Sequence, residues 1–230
     1  MEMKLRSFDP DLYKKLIENS DNVYLQKYIS EEIKTIAGIK NVSDKTLIEL
    51  GAGYGRIWPE IAHECRRLLG IEINPKMYNS LKMMADKYKN SLAIEGDITK
   101  STPYSTIKDQ DEVVFLLLQN TLGVVEGDWI DVIKQIKNFK TKRSKELILS
   151  TFRSESLETI GMKIYTTLVD MFGVIDLSQS DITSGVVKTE DGYKAKWWLD
   201  HEIYQVINQF DAKIVSHKKT ELYQITHLKF

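Results

Sequence analysis

Residues 46–56 read Thr46-Leu-Ile-Glu-Leu-Gly-Ala-Gly-Tyr-Gly-Arg56, and the fold turns on them. Thr46 to Leu50 is a short, mostly apolar run, closed by glycines at alternate positions, Gly51, Gly53 and Gly55. Ile57, Trp58, Ile61 and Cys65 follow on what would be the buried side of a helix, with Pro59 in its first turn, where a missing N–H is harmless. Strand, glycine turn and helix in this order make a nucleotide-cofactor loop. Glycine admits positive φ and lets a ligand approach the backbone. The helix start adds free N–H groups and a positive dipole end. Glycine-rich turns also end strands for structural reasons alone, so the flanking stretches must carry the argument.

Upstream, Asp9-Pro10 is an N-cap followed by proline at the first helical position, opening a helix through about Glu18. Ser20 or Asp21 caps a second helix, with Leu25, Tyr28, Ile29, Ile33 and Ile36 at helical spacing. Downstream, Leu68 to Glu72 is a strand closing on an acid, Asn74-Pro75 starts a helix to about Lys89, and Ser91 to Glu95 is a third strand. Residues 99–110 form a polar connection. Asp111 to Leu118 holds the longest apolar run, which suits a central parallel strand buried on both faces. A helix from about Asp128 to Lys137 and a fifth strand, Glu146 to Thr151, complete an alternation that predicts a parallel, doubly wound α/β sheet.

The pattern then changes. Residues 155–174 read as one helix, Val186-Val187 and Tyr193 to Trp198 as strands, and Asp200 as the cap of a late helix. Lys213 to His217 and Leu222 to Lys229 are joined by a turn too short for anything but antiparallel pairing. With no repeat or linker, residues 1–230 read as one domain. It comprises an N-terminal helical lid over 1–44, a cofactor-binding core over 45–151, a substrate-side insertion over 152–198 that also forms a lid, and a C-terminal helix and antiparallel strands over 199–230.

The formal charge of −1 supplies no overall field to draw the chain to nucleic acid or an anionic membrane. Lys137, Lys140, Lys142, Arg143 and Lys145 cluster, which reads as a solvated helix end or as a local RNA site. Cys65 is the sole cysteine, excluding an intrachain disulfide or a cysteine-held metal; no metal is expected. No apolar run is long enough to cross a bilayer, and Met1 to Arg6 lacks a signal-peptide core, so the expected compartment is cytoplasmic.

A glycine loop followed by Glu72, 21 positions after Gly51, fits a dinucleotide enzyme or an S-adenosylmethionine enzyme. Three features separate them. Glu49 stands two residues before the first glycine, and Tyr54 and Arg56 break the dinucleotide GxGxxG spacing. Gly96-Asp97-Ile98 after the third strand offers an acceptor and a backbone donor for an adenine edge. The antiparallel ending is the third.

With Leu47 to Gly55, Gly70 to Asn74, Glu95 to Ile98 and Asp111 to Asn120 in order, the chain resembles the class I S-adenosylmethionine-dependent methyltransferases over roughly residues 45–150, and more loosely over 193–229. The resemblance implies a seven-stranded mixed sheet, mostly parallel, with its last strand antiparallel. It implies that Gly51, Ala52, Gly53, Tyr54 and Gly55 form the turn against the methionine part and ribose of S-adenosylmethionine, with Glu49 supporting that turn and facing the cofactor's amino group. By the same resemblance Glu72 holds the ribose hydroxyls, Ile73 lies against the adenine, Asp97 and the Ile98 amide read the adenine edge, and Gln119 borders the methionine moiety. Structural alternatives are a strand-end surface acid for Glu72 and a helix N-cap for Asp97.

Methyl transfer needs a base only when the nucleophile arrives protonated, so the lack of an obvious catalytic pair is no objection. Gln119-Asn120-Thr121-Leu122 contains no proline, unlike the turn that holds a flipped base in exocyclic-amine nucleic-acid methyltransferases. Leu118 to Gly123 instead resembles the corresponding segment of small-molecule N-methyltransferases. The expected acceptor is therefore a nitrogen or oxygen of a small molecule, with protein or RNA methylation, or a non-catalytic binding protein, as alternatives. Asn120, Tyr24 and His201 are the candidates for a catalytic role. Tyr13, Tyr28, Tyr165, Tyr193, Trp197 and Trp198 are candidates to line the acceptor site or to pack lid and core.

Overall fold

The computed structural model describes residues 8–18, 22–107 and 111–230. Among them nine strands form: β1 (Thr46–Leu50), β2 (Arg67–Glu72), β3 (Ser91–Glu95), β4 (Glu112–Leu117), β5 (Ser144–Phe152), β6 (Val186–Lys188), β7 (Lys194–Lys196), β8 (Lys213–Lys219) and β9 (Tyr223–Lys229). Seven make one sheet in the order β3-β2-β1-β4-β5-β9-β8, and β6 and β7 pair separately as an antiparallel ribbon. The first five strands are parallel, and β9 runs antiparallel between β5 and β8. This is the expected mixed sheet with an antiparallel last strand.

The sheet carries a core on each face. In β4, Val114 and Leu116 face one cluster and Val113, Phe115 and Leu117 face the other, all without solvent exposure. A run that is apolar at every position is therefore what this strand requires. One cluster packs beneath the helices Val23–Ala37 and Pro75–Ala85 and the insertion; the other packs beneath Trp129–Asn138 and Asp200–Gln209.

Local sequence explains most boundaries. Asp9 accepts the amides of Asp11 and Leu12, Asn74 those of Lys76 and Met77, and Asp128 that of Ile130, each opening a helix. The proposed cap at Ser20 or Asp21 falls outside the described residues; Asn22 caps the helix Val23–Ala37 through the amides of Tyr24 and Leu25. Asp200 is not a cap either. The Glu202 side chain accepts the Leu199 amide at 2.9 Å, so the helix starts one residue earlier, and Asp200 is free to pair with Lys219 and Arg153. The single helix expected over 155–174 is broken into a 3-10 turn, a π turn and two short helices, Met162–Thr167 and Val169–Phe172. Leu168, with φ −105 and ψ 32, interrupts the last two, yet Leu157, Ile160, Ile164 and Leu168 are buried as the spacing predicts.

Candidate active site

A cavity of about 210 Å³ opens at the carboxyl ends of β1 to β5, where open α/β sheets bind ligands. Its walls bring together Glu49, Gly51, Ala52, Gly53, Tyr54, Glu72, Ile73, Asp97, Ile98, Gln119 and Asn120, residues that lie far apart in the chain. Gly55 is absent from these walls. Its φ is +81, and a β-carbon there would stand 3.0 to 3.3 Å from Leu81, Met84 and Trp58. Gly55 is thus constrained by close packing of the loop against Trp58 and the helix Pro75–Ala85. Gly53 is the opposite case. Its φ is +58 and nothing lies within 4 Å of where a β-carbon would stand, so the missing side chain leaves open space at the loop.

The acids are held by the loop itself. Glu72 accepts the Gly53 amide on Oε2 and the Asn74 amide on Oε1, both at 2.7 Å. Burial raises its pKa while these amides pull it back down. Glu49 is more extreme: burial pushes it up to about 8, against a hydrogen bond from Trp58 Nε1 at 2.8 Å and the charge of Arg56. Asp97 Oδ1 accepts the amide and hydroxyl of Thr99 at 2.8 and 2.7 Å, shaping its own turn, and the Ile98 carbonyl accepts Tyr104 Oη at 2.8 Å.

Two residues missed in the sequence complete this wall. Arg56 lines the cavity, and its Nη2 donates to Glu32 Oε2 at 2.8 Å. Glu32, fully buried on the helix Val23–Ala37, also accepts the Gln119 amide at 2.6 Å. A glutamate among the inward positions of an amphipathic helix was the available signal, since an acid is seldom buried without partners.

The rest of the cavity is aromatic. Phe8, Tyr13, Phe152, Tyr165, Phe172, Tyr193 and Trp197 line it. Phe8 stacks on Tyr193 with ring centres 5.9 Å apart and meets Phe172 edge-on at 6.0 Å. Phe8 thereby joins the insertion at the cavity wall, tied down by Asn74 Nδ2 donating to its carbonyl at 3.1 Å. Burial pushes the phenols of Tyr13 and Tyr165 up to about 12, so both are neutral at ordinary pH.

Of the three catalytic candidates, only Asn120 reaches the cavity. Its amide is already engaged, Nδ2 donating to the Lys196 carbonyl at 3.0 Å and Oδ1 accepting the Phe152 amide at 3.3 Å. Tyr24 is 40% exposed in the first turn of its helix, where Leu25 and Tyr28 take the inward positions. His201 is exposed on a helix whose inward face is Ile203, Val206 and Ile207. Neither Tyr24 nor His201 lines the cavity. Trp198 packs in the other core against Trp129, and Tyr28 stacks on Tyr223. The basic cluster is partly engaged. Lys145 Nζ donates to the carbonyls of Ile136 and Lys137, Lys137 Nζ donates to the Gln209 carbonyl, and Lys142 and Arg143 stand beside Asp111 and Glu112.

No protein-family model matches the chain. Among curated proteins, ribosomal RNA small subunit methyltransferase A of Koribacter versatilis is 28% identical over 76 residues, 32% of this chain. The chain spans about a quarter of that relative's length, 27%. Solved structures match along nearly the whole chain. Magnesium protoporphyrin IX methyltransferase from Synechocystis superposes with a TM-score of 0.60 at 13% identity, covering 95% of this chain and 93% of that one. The 1,6-didemethyltoxoflavin-N1-methyltransferase of Burkholderia thailandensis gives 0.59 at 11% identity, covering 98% and 87%. The CcbJ methyltransferase of Streptomyces caelestis gives 0.57 at 14%, covering 86% and 88%. By its strand order and these likenesses, the chain has the fold of the class I S-adenosylmethionine-dependent methyltransferases.

Proposed function

We propose that the protein is an S-adenosylmethionine-dependent methyltransferase that methylates a nitrogen or oxygen of a small molecule. The observation that carries this reading is the convergence of Gly53, Glu72 and Asp97 with a ring of buried aromatic side chains on one cavity. The residues present fit the cofactor. Open space beside Gly53 is a cradle that any side chain would fill. Glu72, with both oxygens already oriented by backbone amides, retains lone pairs for ribose hydroxyls. Asp97 and Ile98 serve the adenine edge, and Glu49 and Gln119 the amino-acid end.

When bound, the cofactor supplies an electrophilic methyl group on a sulfonium, and alignment of a nucleophile with it is worth effective molarities on the order of 10⁵ M in favourable cases. The aromatic walls provide that alignment and exclude water. Asn120, fixed through Lys196 and Phe152, is a shaping residue of the acceptor side rather than a base. The cluster of Phe8 with Tyr193 and Phe172 in the cavity wall favours an acceptor small enough to be enclosed. The curated relative is named for ribosomal RNA, but in the basic cluster that would serve such a substrate here Lys137 and Lys145 are spent on backbone carbonyls.

Calorimetric titration with S-adenosylhomocysteine and with NADH tests the cofactor. Binding of the first and not the second is expected; no binding of S-adenosylhomocysteine sinks the proposal. Transfer of labelled methyl to RNA in preference to small amines and phenols would overturn the acceptor class alone.

A further inference from the structure

We propose that Glu32 is a positioning residue that sets the amino-acid end of the cofactor cavity, acting through Arg56 and Gln119 without touching the ligand. The inference rests on the cofactor reading above. Glu32 has no solvent exposure and does not line the cavity. Its Oε1 accepts the Gln119 amide at 2.6 Å and the Ser150 hydroxyl, and its Oε2 accepts Arg56 Nη2 at 2.8 Å. Ser150 in turn accepts the Tyr28 hydroxyl at 2.9 Å and a second contact from the Gln119 amide at 3.0 Å. One carboxylate on an N-terminal helix thus joins the residue that follows the glycine loop to the turn that follows β4. Arg56 and Gln119 both line the cavity.

The chemistry of each partner calls for a carboxylate. Arg56 has a side chain only 9% exposed, and a buried guanidinium needs a counter-charge. Glu49, the other carboxyl that feels Arg56, is pushed up to about 8 by burial, which leaves Glu32 as its charge partner. Gln119 and Asn120 hold φ of 48 and 59, a left-handed pair that non-glycine residues keep only when surrounding bonds impose it. The Glu32–Gln119 contact is such a bond. A neutral amide at position 32 would offer an acceptor to one partner while presenting a donor to the other.

These links lie on the amino-acid half of the cavity, whereas Glu72 and Asp97 hold the adenosine half at the ends of β2 and β3. A ligand series separates the halves. Affinities of S-adenosylhomocysteine and of adenosine are measured by calorimetry for the wild type and Glu32→Gln, at a temperature where each is fully folded. Glu32→Gln is expected to weaken S-adenosylhomocysteine about tenfold or more, as loss of a charged hydrogen bond does, and to leave adenosine within about twofold. Equal loss for both ligands would mean a general structural role and overturn the proposal, as would no loss for either. Should Glu32→Gln fail to fold, Ser150→Ala keeps the ion pair and removes one donor to Glu32. It is expected to weaken S-adenosylhomocysteine about threefold with adenosine unchanged; an unchanged S-adenosylhomocysteine affinity overturns the proposal. Wild type that binds neither ligand sinks the cofactor reading itself, a failure seen before any variant is compared.

Discussion

Gly53 donates its backbone amide to Glu72 Oε2 at 2.7 Å, so the loop that ends β1 and the acid that ends β2 are one hydrogen-bonded unit. A strand-end surface acid would be solvated; this one is 7% exposed and oriented from both sides. Glu72→Ala is expected to weaken S-adenosylhomocysteine by roughly 1–3 kcal/mol, the worth of charged hydrogen bonds, in calorimetric titration. Affinity within about twofold of wild type would remove Glu72 from the site.

Gly53 and Gly55 predict opposite phenotypes for the same substitution. Gly55→Ala places a methyl group 3.0 to 3.3 Å from Leu81, Met84 and Trp58 at φ +81 and is expected to destabilise the fold by about 1–3 kcal/mol. The folded fraction should bind S-adenosylhomocysteine normally. Gly53→Ala meets no atom within 4 Å, so its stability cost should be confined to about 1–2 kcal/mol of left-handed strain while ligand affinity falls. Thermal melts paired with titrations distinguish the two, and identical behaviour would contradict the assignment.

Glu49 predicts a pH dependence. Burial raises its native pKa from 4.5 to about 8, so the native state keeps a proton that the unfolded chain releases. Its contribution to stability is whole below about pH 4.5, declines as pH rises, and is lost once pH passes about 8. Urea unfolding at intervals from about pH 5 to 8 should show Glu49→Gln with a flatter profile than wild type. Parallel profiles would place Glu49 in a normal environment. Because a cofactor ammonium beside Glu49 favours its charged form, binding of S-adenosylhomocysteine near neutral pH should also release a proton, detectable as a buffer-dependent enthalpy absent in Glu49→Gln.

At the opposite end of the sheet, Glu146 takes Lys45 Nζ at 2.5 Å and His227 Nε2 at 2.6 Å. Burial opposes its charge, but the bonds from His227 and Lys45 prevail and hold it down at about 2. The folded pKa is below the unfolded one, so this stabilisation is complete above about pH 4.5 and disappears as pH falls toward 2. Glu146→Gln should cost roughly 3–5 kcal/mol at neutral pH by stranding buried Lys45 and should shallow the acid limb of the stability curve. An unchanged acid limb would refute the pairing.

Most of the sheet could be read along the chain because its signals are local. Thr46–Leu50 and Ser91–Glu95 begin and end where apolar runs meet turns, and the short link before Tyr223 forces the antiparallel hairpin. That Gly53, Glu72 and Asp97 would meet at one cavity was legible for the same reason, since each sits at or just after a strand end. What escaped depends on contacts remote in sequence. Glu32 meets Gln119 across 87 positions and Ser150 across 118, and no spacing rule links them. The packing of Gly55 on Leu81 was hidden for the same reason, since a glycine is spelled the same whatever lies beside it. Tyr24 and His201 lie away from the cavity because each stands near the start of a helix on its solvent side, a rotation that composition does not specify.

The position of β9 between β5 and β8 has a consequence for biosynthesis. Along residues 146–152, β5 finds its outer partner only in residues 223–229. Until that hairpin is made, β5 presents an unpaired edge of the kind that templates association, and Glu146 lacks the His227 contact it has in the finished sheet. Completion of the sheet thus waits on residues 223–229, the last of its strands to be made, and until they pair, the open side of β5 is a surface on which chains can associate.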